Sequence, residues 1–80
     1  MAVIRGTTEN DTLRGTDLSD LIRGLEGDDF VLARDGEDHI FGNSGNDNLQ
    51  GGNGNDEIEG GDGNDTIFGG NNNDFLLGDS

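Results

Sequence analysis

The chain has 80 residues, which bounds it to one domain or part of one. Eighteen acidic residues against four arginines and no lysine give a net charge of −14, which argues against nucleic acid and anionic membrane surfaces as partners and favours cations. There is no cysteine for disulfides or thiolate metal sites, and no apolar run long enough for a membrane span or a signal-peptide core, so any export signal would lie outside these residues or be of another kind.

Glycine supplies 16 residues, proline none, and only 28% of the chain is hydrophobic. Composition alone would describe a disordered acidic segment. The order of the residues says otherwise. After Val3-Ile4-Arg5, the chain divides into nonads without insertion or deletion: GTTENDTLR (6–14), GTDLSDLIR (15–23), GLEGDDFVL (24–32), ARDGEDHIF (33–41), GNSGNDNLQ (42–50), GGNGNDEIE (51–59), GGDGNDTIF (60–68) and GGNNNDFLL (69–77). An incomplete ninth, 78–80, follows. Position six is Asp in every nonad, from Asp11 to Asp74, and position eight is aliphatic in every nonad, from Leu13 to Leu76. Position one is Gly except at Ala33. A fixed short period sets the architecture.

The last three residues of each unit, as in Thr12-Leu13-Arg14 or Thr66-Ile67-Phe68, read as a minimal strand with its middle side chain on one face. The first six hold Gly, Asn and Asp, which are turn residues. Three-residue strands cannot stand alone. Stacking solves this if two nonads make one coil. Odd nonads then form one parallel sheet and even nonads the other, with the position-eight aliphatics between them and positions seven and nine facing out. Such a core is too small to offset the ordering of the backbone. Stacking also places successive position-six carboxylates about 5 Å apart, where like charges repel by about 1 kcal/mol in water and by more at lower dielectric. The chain is therefore expected to need a cation in its turns.

The donors on offer are carboxylates, amides and main-chain carbonyls, with His39 the only imidazole. This set suits Ca²⁺, suits Mg²⁺ less and disfavours zinc. No stretch matches an EF-hand loop.

GGNGNDEIE and GGDGNDTIF resemble the nonapeptide repeat of RTX (repeats-in-toxin) proteins. The resemblance covers essentially the whole chain and is most specific from Gly42 to Phe68. It implies an all-β fold, a right-handed parallel β-roll (a β-solenoid) over 1–80 with two nonapeptides per coil and several Ca²⁺ ions between stacked turns. It also implies type I secretion through a C-terminal signal that these residues do not contain. Each ion, in the family's pattern, takes carbonyls from positions two and four and the Asp of one nonad, and carbonyls from positions one and three and the Asp of the nonad two further on. Carried over, Leu25, Gly27 and Asp29 face Gly42, Ser44 and Asp47. Arg34, Gly36 and Asp38 face Gly51, Asn53 and Asp56. Asn43, Gly45 and Asp47 face Gly60, Asp62 and Asp65. Gly52, Gly54 and Asp56 face Gly69, Asn71 and Asp74. The first two nonads depart from the pattern with Glu9 and Leu18 at position four, which weakens sites pairing Asp11 with Asp29 and Asp20 with Asp38. Gly61, Gly63 and Asp65 face only Gly78 and Ser80, leaving that site half formed.

No catalytic role is expected. His39 reads as a surface residue, and eight Asp at one spacing describe a lattice rather than an acid/base pair. Arg5, Arg14 and Arg23 read as charge compensation, and Phe75 with Leu77 as a docking surface for a capping or fused segment beyond residue 80. The expected function is a calcium-binding module that folds outside the cell and supports export, folding or display of a secreted protein. An accessory module of a secreted protease, lipase or polysaccharide epimerase, and the spacer of a surface adhesin, are alternatives that only the flanking reading frame separates.

Overall fold

The computed structural model describes residues 3–71 and 74–78. Asn72 and Asn73 of the eighth nonad, and Asp79 and Ser80 of the incomplete ninth, lie outside the described residues, so the half-site expected at Ser80 does too. Nine three-residue strands run β1 (Val3–Arg5), β2 (Thr12–Arg14), β3 (Leu21–Arg23), β4 (Phe30–Leu32), β5 (His39–Phe41), β6 (Asn48–Gln50), β7 (Glu57–Glu59), β8 (Thr66–Phe68) and β9 (Phe75–Leu77). From β2 onward each strand is the last third of a nonad, where the aliphatic residue replaces the turn formers. None of the described segments is a helix long and apolar enough to cross a membrane.

The strands form two parallel sheets, ordered β1-β3-β5-β7-β9 and β2-β4-β6-β8. Odd nonads build the second sheet; even nonads and the leading Val3–Arg5 build the first. The register is in step throughout, with Ile22 opposite Ile40 and Val31 opposite Leu49. The fold is thus a parallel β-solenoid of about four coils at the eighteen-residue spacing of those pairs. Main-chain bonds carry the pairing one residue past each strand: the Asn48 N–H donates to the Asp29 carbonyl at 2.8 Å, and the Gly42 N–H to the Glu59 carbonyl at 2.8 Å. Both ends of every turn are therefore anchored to the coils beside it.

Ile22, Val31, Ile40, Leu49 and Ile58 are fully buried between the sheets, with Ile4, Leu13 and Ile67 packed against them. Ala33 joins this core from position one. Leu76 belongs to the same series but remains 43% exposed, because β9 has a sheet neighbour on one side only. On the outer faces, Phe30, Leu32 and Phe41 are half-buried, more covered than their outward positions predict. Phe41 stacks on His39 with ring centres 4.4 Å apart and has the Arg23 guanidinium 5.8 Å from its centre. His39, expected on the open surface, is itself half-buried, with its Nε2 3.4 Å from Glu57 and 3.9 Å from Glu59.

Candidate metal centre

The turns stack along the two flanks of the solenoid. Those ending in Asp11, Asp29, Asp47 and Asp65 form one ladder, and those ending in Asp20, Asp38, Asp56 and Asp74 the other. Within each ladder the main-chain N–H of one Asp donates to Oδ1 of the Asp one coil further on. Asp29 donates to Asp47 at 2.8 Å and Asp47 to Asp65 at 2.8 Å; Asp38 donates to Asp56 at 2.9 Å and Asp56 to Asp74 at 2.9 Å. Each of the four pairs assigned from the repeat, Asp29–Asp47, Asp38–Asp56, Asp47–Asp65 and Asp56–Asp74, is brought together in this way.

These bonds use one carboxylate oxygen and leave the other. Oδ2 of Asp29, Asp38, Asp47, Asp56 and Asp65 is buried with no hydrogen-bond partner in the protein. A buried anionic acceptor without a donor is unfavourable unless a cation or a proton meets it. Burial pushes the carboxyls of Asp47 and Asp56 up to about 7 and Asp38 up to about 6, the donated N–H opposing the shift and the stacked carboxylates adding to it. Asp29 is raised for the same reasons. Repetition thus turns an ordinary acid into one that holds a proton near neutrality.

Main-chain geometry supplies the remaining donors. From the third to the seventh nonad, positions two and four are both left-handed: Leu25, Gly27, Arg34, Gly36, Asn43, Gly45, Gly52 and Gly54 all have φ between 65° and 102°. A Cβ on Gly54 would strike the carbonyl of Gly36 one coil back, and one on Gly45 would strike the carbonyl of Gly27. Position-two carbonyls stack alike, that of Arg34 against Gly52 and that of Asn43 against Gly61. At position one, a Cβ on Gly42 would lie 2.7 Å from Oδ2 of Asp47, so glycine there lets the carboxylate fold back over its own turn. The side chains of Ser44, Asn53, Asp62 and Asn71 at position three are exposed, and Gly51, Gly60 and Gly69 open their turns. Asn53 is tied along its flank to Asp35 at 3.0 Å and to Asn71 at 2.8 Å. Among the described residues no three His, Cys, Asp or Glu side chains group as metal ligands, so a cation between turns has two carboxylates and must complete its shell with carbonyls. Oxygen donors of this kind fit a hard, flexibly coordinated ion, which is calcium rather than zinc.

A family comparison agrees with this geometry. The RTX calcium-binding nonapeptide repeat, in 4 copies, matches residues 3–17, 14–49 and 41–76. The chain belongs to the RTX calcium-binding repeat family. No curated protein and no solved structure matches it. RTX repeats bind Ca²⁺, and the orphaned carboxylate oxygens of this chain suit that ion. Bound between turns, Ca²⁺ would neutralise paired carboxylates and supply the positive partner that each Oδ2 lacks.

The first two RTX nonads are built differently. Neither Thr7 and Glu9 nor Thr16 and Leu18 are left-handed at positions two and four. The Thr7 N–H instead donates to Oδ2 of Asp11 at 2.6 Å, and the Thr7 hydroxyl lies 3.1 and 3.0 Å from the two carboxylate oxygens. Thr16 repeats this on Asp20 at 2.7, 3.0 and 3.1 Å. Sequence reasoning passed over both threonines. The signal was a Thr at position two, four residues before the Asp, where later nonads carry Leu, Arg, Asn or Gly.

Proposed function

We propose that this RTX module folds when calcium is bound outside the cell, and that it thereby supports the export, folding or display of a secreted protein without catalysing a reaction itself. The observation that carries this reading is the row of buried, unpartnered Oδ2 atoms on Asp29, Asp38, Asp47, Asp56 and Asp65. Without a cation, those carboxylates repel one another along each ladder, and the few buried aliphatics between the sheets oppose them weakly. Cytosolic free calcium lies far below the roughly 10⁻⁴–10⁻³ M affinities of extracellular calcium modules, so the chain would stay open inside and close outside. An open chain is the form that threads a narrow secretion channel. Circular dichroism at pH 8 tests this. The chain should be mainly unordered in chelator and gain β structure in millimolar calcium; a complete β spectrum in chelator overturns the reading.

A further inference from the structure

We propose that the first coil, Gly6 to Arg23, is closed by threonine hydroxyls where later coils use calcium, and that it is a metal-independent seed on which the calcium turns stack. The inference rests on calcium binding by the later turns and adds which turns take no ion and what those turns do instead.

Every oxygen that a cation would need from Asp11 and Asp20 already has protein donors. In the first turn Oδ2 receives the Thr7 N–H and lies within reach of the Thr7 hydroxyl, while that hydroxyl accepts the Glu9 N–H at 3.1 Å. In the second, Thr16 does the same for Asp20 and accepts the Leu18 N–H at 3.1 Å. These bonds span two or four residues, so they form without a neighbouring coil and without an ion. The backbone agrees independently. Thr7 and Thr16 turn their N–H groups toward the carboxylate, whereas position two from Leu25 onward is left-handed. A β-branched residue strongly resists that left-handed conformation. Thr at position two and a side chain at position four therefore select the hydrogen-bonded turn. All three exposed strand-end arginines, Arg5, Arg14 and Arg23, lie on the strands bounding these two turns and offset their charge at longer range.

The seed also presents something to the next coil. The Asp11 N–H donates to Oδ1 of Asp29 at 2.8 Å, and the Asp20 N–H to Oδ1 of Asp38 at 2.8 Å. Asp29 and Asp38 are the first carboxylates in each ladder with an orphaned Oδ2. A preformed first coil thus fixes one oxygen of each and aims the other into the first calcium turn. Each filled turn then orients the Asp of the next coil in the same way.

Equilibrium dialysis with calcium alone and a dichroism titration on the full 80-residue chain test both halves. T7V/T16V removes the hydroxyls and keeps the shape and the N–H groups. The number of ions bound at saturation should stay the same, while the calcium midpoint rises by about two- to fivefold, the lost hydrogen bonds being shared among several ions. A fall in ion number, or an unchanged midpoint, overturns the proposal. T7G/E9G/T16G/L18G restores the repeat pattern and should add one ion for each of the pairs Asp11–Asp29 and Asp20–Asp38; no gain overturns it. Should either variant fail to fold, amide exchange of the unaltered chain decides. At sub-saturating calcium the Thr7 and Thr16 amides should be protected before those of Asp47 and Asp56, and the reverse order overturns the seed. If the unaltered chain binds no calcium at all, the proposed function fails first; if it titrates normally and the threonine variants titrate like it, only the seed fails.

Discussion

Asp56 shows how much one residue carries in a stacked lattice. Its Oδ1 accepts the Asp38 N–H, its own N–H donates to Asp74, and its Oδ2 is buried without a partner. It therefore belongs to two turn pairs. Asp11 belongs to a turn whose oxygens are met by Thr7. Asp56→Ala should lower the number of ions bound at saturation by about two, the pairs with Asp38 and with Asp74 both losing a carboxylate and the buried Asp38 N–H losing its acceptor. Asp11→Ala should leave that number as it is. Equilibrium dialysis of the two variants beside the parent chain makes the comparison, and equal losses would contradict the assignment.

At the scale of one strand, stability depends on a single inward side chain. Ile40, in the middle of β5, is fully buried between the sheets. Ile40→Ala should destabilise the calcium-loaded fold by roughly 2–5 kcal/mol, as truncation leaves a cavity that rigid neighbouring coils cannot collapse. Thr66→Ala, on the exposed outer face of β8, should stay within about 0.5 kcal/mol. Urea unfolding at fixed calcium separates the two, and similar midpoints would mean the inter-sheet core is not what holds the coils. The strands themselves were legible in the sequence because only x-aliphatic-x recurs between turn formers, and a period of nine leaves one register. The pairing of Asp47 with Asp65 was legible for the same reason. The left-handed backbone at position two of the third and fourth nonads was less so. Leu25 and Arg34 are not residues that advertise a left-handed backbone, yet they adopt φ of 68° and 74° because the stacked coils impose it. The burial of Phe30, Leu32 and Phe41 was also hidden, since it depends on what the next coil places beside each side chain.

The whole molecule is a charged lattice whose ladders take up either protons or calcium. In the metal-free fold the Asp47 and Asp56 carboxyls are raised to about 7 and Asp38 to about 6, from an ordinary value of 3.8. The folded chain then holds protons that the unfolded chain has released. Groups raised in this direction stabilise the fold fully below the unfolded value and lose that contribution as pH rises through the folded one. Acid should therefore substitute in part for calcium. In chelator, the β signal should be weakest at about pH 8 and should return as pH falls through 7 and 6 towards about 5. Stopping there keeps the chain above its isoelectric point of 4.1, where it still repels its copies. The same protons compete with the ion, since calcium needs the carboxylates charged, so the calcium midpoint should rise as pH falls from 8 to 6 and binding should release protons. A dichroism titration at several pH values, with proton release followed in weak buffer, measures both effects. A chelated chain equally unordered at pH 5 and pH 8, together with a calcium midpoint that ignores pH, would mean that the ladders do not bury their charge in the way the stacked Oδ2 atoms require.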